Sequence, residues 1–331
     1  MTSDSPGWDA IDARLEQLYP GVEPRHYGTL HRFALGGPDP LDGISFYPRA
    51  EPQPHWHIVG YGMSELYRKE SEDLDESGWG FEFTFRVARG AEDTEPPIWA
   101  ANLLQNLARY VFSSGNWFEP GHHMDANGPI RQDYDTAVTA LAFAEDPELG
   151  AIDTPHGRVQ FLQVVGLTAD EYAAARQWDT AGLVALLAER SPLLVTDLDR
   201  PPITDDPAAR AAIEAGRARD GSSLGWLMVA GFDWVAEGDA IRLRLEEITA
   251  GSLAEAVRAR LPYGRDLLLE GPGTRVLLRP AQEFAAHRPD DGTLELRLPP
   301  QAVAALPAAL TAGTHPLPGA TNLLIEVRPG R

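Results

Sequence analysis

Nine residues in the first third of the chain constrain the fold more tightly than any other stretch. From Gly80 to Ala88, the side chains of Phe81, Phe83, Phe85 and Val87 alternate with those of Glu82, Thr84 and Arg86. A period of two sends neighbours to opposite faces, so this segment is predicted to be a strand with one face in a core and one wetter face. Pro97 then opens a predicted helix to about Phe112, because proline is tolerated in a first turn. Leu103, Leu107, Tyr110 and Val111 make its expected apolar stripe.

The rest of the chain extends this pattern. A helix is expected over Trp8 to Leu18, with Ile11, Leu15 and Leu18 on one face, stopped by Pro20-Gly21. His55 to Tyr61 reads as a strand, and Glu70 to Glu76 as an acidic loop. Gly115 to Gly128 is an expected loop carrying Trp117, Phe118, His122 and His123. Further strands are predicted at Ala137 to Phe143, Arg158 to Val165 and Leu193 to Leu198. Thr168-Ala169-Asp170-Glu171 has capping-box spacing before a helix, and Thr180 to Ala188 is a second helix. Strands cluster and helices do not alternate with them, which favours α+β over a doubly wound sheet.

A domain covering 1–205 is expected, then a linker helix over 206–219 that begins at Asp206-Pro207, and a smaller α+β domain over 220–331. In that last part strands are expected at Ile241 to Ile248, Asp266 to Leu269, Thr274 to Leu278, Thr293 to Leu298 and Asn322 to Val327. Ser252-Leu253-Ala254-Glu255 has the spacing of a second capping box, and Gln301 to Leu310 reads as a helix.

Charge narrows the range of partners. Asp plus Glu number 49 against 28 Lys plus Arg, a net charge of −21. Such a field repels nucleic acid and anionic membrane and draws in a basic partner, although acidic surface also serves solubility. There is no cysteine, which removes disulfides, thiolate metal sites and a cysteine nucleophile. Met1 to Gly7 lacks the pattern of a signal peptide, and no run approaches the roughly 20 apolar residues of a membrane span. A soluble cytoplasmic protein is expected.

Catalytic signatures are sparse. Ser64 in Gly62-Met63-Ser64-Glu65 lacks the trailing glycine of a nucleophile elbow, and no glycine fingerprint for phosphate follows a strand. His55 and His57, two apart in a strand, face one side, a spacing that can bind metal with His122 and His123. Histidines satisfied inside the fold are the simpler reading. No enzyme activity, cofactor or metal is expected. The alternative is a metal-dependent or small-molecule enzyme using the His55, His57 and His122 region.

Ordered blocks then point to a family. They begin with Gly7-Trp8-Asp9-Ala10-Ile11, Pro24-Arg25-His26-Tyr27 and Leu35-Gly36-Gly37-Pro38-Asp39-Pro40-Leu41-Asp42-Gly43. His55-Trp56-His57-Ile58-Val59-Gly60-Tyr61-Gly62-Met63-Ser64-Glu65-Leu66-Tyr67 follows, then Gly80 to Arg86, Ala108 to Phe112, Glu145-Asp146-Pro147 and Phe161 to Gly166. Together they resemble the Suppressor of Fused family of protein-binding regulators. The likeness is dense from about Gly7 to Asp197. Beyond that it is weak, mainly at Asp220 to Leu224 and Leu261 to Arg265.

The resemblance implies two mixed α/β domains with a groove between them, in which a partner peptide extends their sheets as an added strand. In the animal member the partners are Gli-type transcription factors of Hedgehog signalling. Carried over by position, Tyr110 and Phe118 match aromatic residues of that groove and Glu145 and Asp146 its acidic pair. His122 stands where the family has an aspartate. Leu227, Val229 and Leu261 are the nearest equivalents in the second domain. From the residues alone, Tyr110 on its helix stripe reads equally as core, Phe118 in its loop suggests contact, and Glu145-Asp146 also reads as a solvated turn. The chain has no room for the animal protein's long polar insertion and looks like a compact bacterial member. Among bacterial relatives the resemblance implies an immunity protein that neutralises a toxin, here a basic toxin domain drawn to the acidic groove. Neither the partner nor the oligomeric state is legible.

Overall fold

The computed structural model describes residues 4–31, 33–229, 231–238, 240–288 and 292–329. Packing divides the chain into two compact units, Met1–Tyr172 with Leu183–Ala209, and Ala173–Gly182 with Arg210–Arg331.

The first unit is built on one eight-stranded sheet. Its strands are β1 (Arg25–Gly28), β2 (Gly43–Arg49), β3 (His55–Tyr61), β4 (Glu76–Ala88), β5 (His123–Asp125), β6 (Val138–Glu145), β7 (Ala151–Thr154) and β8 (Gly157–Thr168). Their order is β1-β2-β3-β4-β8-β6-β5, with β7 also on β8, and β5 stands at one edge. All pairings are antiparallel except β4 with β8.

Helices cover both faces. On one lies α1 (Pro6–Leu18), whose Ile11 and Leu15 pack with Tyr47, Val59, Tyr61 and Phe161. On the other lies α2 (Ile98–Ser114), packed on Phe46, Trp56, Ile58, Phe83, Phe85 and Phe143. Its buried stripe is Ala100, Leu104, Leu107, Ala108 and Val111. This is rotated from the expected one, so Tyr110 falls at its exposed margin. Gly115, in the left-handed conformation, ends the helix by donating its N–H to the Val111 carbonyl.

Being covered twice overturns one expectation. Glu82, Thr84 and Arg86 do not form a wetter face: all three are fully buried, beneath the α1 side of the sheet. The alternation on β4 separates an apolar core from a buried polar one, because α1 covers one face of the sheet and α2 the other, leaving neither for solvent.

Helices α3 (Ala169–Gln177), α4 (Thr180–Arg190) and α5 (Pro207–Asp220) follow. The capping box at Thr168 forms as expected: its N–H donates to Glu171 Oε2 at 2.9 Å, and its Oγ1 accepts the Glu171 N–H at 3.4 Å. The expected strand at 193–198 reduces to a single bridge, Val87 with Thr196. Residues 173–182 group with the second unit, whereas a boundary after residue 205 leaves them in the first domain. The cause is Trp178, whose Nε1 donates to Asp220 Oδ2 at 3.2 Å and whose carbonyl accepts the Ser223 N–H at 2.6 Å.

The second unit has two sheets around one apolar core. Its strands are β9 (Trp226–Met228), β10 (Phe232–Glu237), β11 (Ala240–Glu246), β12 (Leu267–Gly271), β13 (Thr274–Pro280), β14 (Ala285–His287), β15 (Thr293–Leu298), β16 (Gly313–Leu317) and β17 (Ala320–Arg328). The orders are β10-β11-β17-β16 and β14-β15-β13-β12-β9, which places β9 at an edge. Helices α6 (Glu247–Arg260) and α7 (Pro300–Ala309) contribute Leu253, Val257, Val303 and Leu306 to the core. Helix α6 starts six residues before the spacing at Ser252 implies, so that box lies inside the helix. The chain is thus α+β with mixed sheets in both units. No helix among the described residues is long and apolar enough to cross a membrane.

Candidate functional site

In the first unit, the loop after α2 turns back onto the edge of the sheet. The Gly121 N–H donates to the Phe143 carbonyl at 2.8 Å, and the Phe143 N–H donates to the His122 carbonyl at 3.0 Å. These bonds continue the β5–β6 ladder and draw the loop's aromatic residue inward. Phe118 stacks on Phe143 with centroids 4.0 Å apart, and Tyr110 stacks outside Phe118 at 5.7 Å. Phe118 is only 7% exposed while Tyr110 is 40% exposed. The structure separates the pair that the sequence put together as groove residues. Phe118 belongs to the core, and Tyr110 presents its ring outward, its hydroxyl accepting from Asn116 Nδ2 at 3.2 Å.

Tyr110 also lines an open groove of about 750 Å³ on the same unit. Leu103, Leu107 and Tyr110 from α2 form one wall, and Met124 and Asp125 from β5 form the other. His122 is exposed, its Nδ1 accepting the Glu119 N–H at 3.2 Å. Glu145 is exposed at the end of β6.

Asp146 lies elsewhere. It is buried, and its two oxygens accept Arg86 Nη1 at 2.8 Å and Nη2 at 3.2 Å, Thr84 Oγ1 at 2.9 Å and His57 Nε2 at 3.0 Å. The amides of Glu148 and Leu149 add two bonds at 2.9 Å. Six donors saturate a carboxylate, so Asp146 has no capacity left for a partner. Burial alone raises a carboxyl, but His57, Arg86 and these amides hold Asp146 well below the usual range. Arg86 reaches Glu148 Oε2 at 2.8 Å as well, and also donates to Gln163.

Both ring nitrogens of His57 are engaged inside this network. With Nε2–H donating to Asp146, Nδ1 accepts the Tyr19 hydroxyl at 2.6 Å. Burial, and next the charge of Arg86, push His57 down to about 4, so the ring is neutral at pH 7. His55 is also buried and directs Nδ1 at the Gln53 carbonyl, 2.7 Å away. Among the described residues, no group of three or more His, Asp or Glu side chains is placed to hold a metal ion.

In the second unit the expected residues are mostly internal. Val229 and Leu261 are buried in the core, and Leu227 packs against it from β9. The neighbours of Leu227 face the other way: Trp226 is 43% and Met228 64% exposed. Trp226 is held by an Nε1–H bond to Glu270 Oε2 at 2.9 Å. Sequence reasoning missed these two, although strand alternation around an inward Leu227 would have found them. Met124 and Asp125 were missed because a three-residue strand has too few positions to show a period.

Comparisons agree with this architecture. A family profile described as "Suppressor of fused protein (SUFU)" matches residues 37–201. The human Suppressor of fused homolog is 37% identical over 235 residues, 66% of this chain and 48% of that protein, and the mouse homolog matches equally. The chain thus matches about half the length of these relatives. The crystal structure of Drosophila Suppressor of Fused superposes with a TM-score of 0.85 at 23% identity, covering 99% of this chain and 98% of that one. A crystal structure of a Sufu–Fu complex matches at 34% identity and a TM-score of 0.60, covering 64% of this chain and 98% of that one. With the shared fold and this level of identity, the chain belongs to the Suppressor of fused family.

Proposed function

We propose that this chain is a non-catalytic regulator that holds a partner polypeptide as an added strand, using the edge of β5 in the first unit and of β9 in the second. One observation carries the reading: Tyr110 stands exposed on a buried Phe118–Phe143 stack, beside a groove walled by edge strand β5. A rigid aromatic ring next to a sheet edge suits strand addition, in which main-chain bonds supply affinity and pockets supply selectivity. Trp226 and Met228 offer comparable apolar contacts on β9. Glu145, rather than Asp146, is the acidic residue open to a partner's His, Lys or Arg. The relative solved in complex with Fu supports protein binding as the family's mode of action.

The net charge of −21 favours a basic partner. In a bacterial setting we assign this partner as a toxin domain that the chain neutralises in the cytoplasm. Hydrogen exchange with and without any toxin domain found encoded beside the gene tests the proposal. Amides of 123–125 and 226–228 should gain protection, and added salt should weaken the complex. A complex that leaves both edges unprotected refutes strand addition, and absence of any complex with the neighbouring toxin refutes the immunity role.

A further inference from the structure

Two of the sequence blocks that carry the family resemblance, 35–43 and 55–67, take no part in the β5 and β9 edges. In the first unit they meet. Gly62 adopts φ +141°, and a Cβ there would lie 2.5 Å from the Pro40 carbonyl oxygen. Only glycine permits this approach of the two backbones. Beneath the turn, the buried Glu82 carboxylate accepts the amides of Gly62, Met63 and Ser64 and the Ser64 hydroxyl, at 2.6 to 3.2 Å. The turn is therefore held from both sides.

It forms one wall of an open groove of about 930 Å³. The facing wall is aromatic: Phe33 and Trp79 each meet Phe112 edge-on, at 4.9 and 5.6 Å. Phe33 and the neighbouring Leu35 are both exposed. The rim is acidic. Between Glu65 and Glu76 there are six carboxylates and two cations. Arg68 pairs with Glu70 at 2.6 Å and Lys69 with Glu65 at 3.0 Å, and past Ser71 on the groove the same segment runs on through exposed Glu72, Asp73, Asp75 and Glu76.

We propose that this groove is a second docking site, for a partner segment in which a bulky apolar side chain is flanked by Lys or Arg. The aromatic wall takes the anchor and the acidic rim takes the flanking cations. A second copy of this chain, at net charge −21, would bring like charge to that rim. The site is separate from the one at β5. Phe112 is about 200° of helical turn from Tyr110, and the two grooves share no lining residue.

The test is fluorescence anisotropy with labelled Lys-Lys-Leu-Trp-Leu-Lys-Lys and its Glu-flanked counterpart. The basic peptide should bind and the acidic one should not. The rim variant Glu70→Lys with Glu72→Lys, at a groove-lining position and one beside the groove, should weaken binding about tenfold at low salt, and Phe33→Ala should weaken it by a similar factor. Glu247→Lys with Glu255→Lys, which changes net charge equally on exposed positions of α6, and Tyr110→Ala should each leave it unchanged. Equal loss in the rim and α6 variants, equal binding of both peptides, or a rim variant that binds like wild type overturns the proposal.

Discussion

Replacing Asp146 by alanine should be among the most destabilising single changes in the first unit. The substitution leaves the Arg86 guanidinium fully buried with its main counter-charge gone, and strips His57 Nε2, Thr84 Oγ1 and two amides of their acceptor. Arg86 Nε already has no hydrogen-bond partner, so the group has no reserve on that side. Breaking a buried pair from one end costs about 3–5 kcal/mol. Arg86 keeps Glu148 and Gln163, which places the expectation near the lower end, about 3 kcal/mol. With a urea slope of about 3 kcal/mol/M, the unfolding midpoint should fall by roughly 1 M. The assay is urea unfolding at pH 7, read by circular dichroism and by tryptophan fluorescence. The double variant Arg86→Met with Asp146→Leu should recover most of the loss, because removing both charges abolishes the unpaired ion. The folded Asp146 carboxyl lies below its unfolded value, so its contribution is full above about pH 4 and fades on acidification. Asp146→Ala should accordingly lose less stability than wild type below pH 4. A midpoint shift under about 0.3 M for the single variant would refute the reasoning.

His57 should make the fold acid-sensitive over a separate range. Its folded value, about 4, lies below the ordinary 6.5, so the unfolded chain takes up a proton first and stability falls from pH 6.5 to 4. Wild type should lose about 3 kcal/mol across that window relative to His57→Gln, measured by urea unfolding at each pH. Glu82→Gln turns an amide NH2 toward donors on Gly62 to Ser64, and should cost about 2 kcal/mol and speed hydrogen exchange at 62–64. Phe118→Ala should cost about 3 kcal/mol of stability as a core truncation. Tyr110→Ala should cost less than about 1 kcal/mol of stability yet weaken partner binding by about 2 kcal/mol, read by thermal unfolding and titration calorimetry.

Long periodic segments were legible from residue order. The strand at 55–61 forms with the bounds expected, α1 and α2 shift by two residues or fewer at either end, and the Thr168 capping box closes. Short pieces were not. The strands β5, β7, β9 and β14 span three or four residues, too few for alternation to stand out from loop composition. The Ser252 box shows the converse: a four-residue spacing carries no mark of whether a helix has already begun.

Residue order alone assigns the faces: which residues alternate on β4, where helices begin after proline, that the chain is acidic without cysteine, and the family its blocks resemble. Packing between elements then settled which of those faces meet water. Covering the sheet twice turned Glu82 and Arg86 into a buried polar core, drew Phe118 and Asp146 inward, and left Tyr110, Trp226 and Met228 outside. The physical reason is that burial comes from contacts between elements distant in the chain, and periodicity within one element cannot report what packs against it.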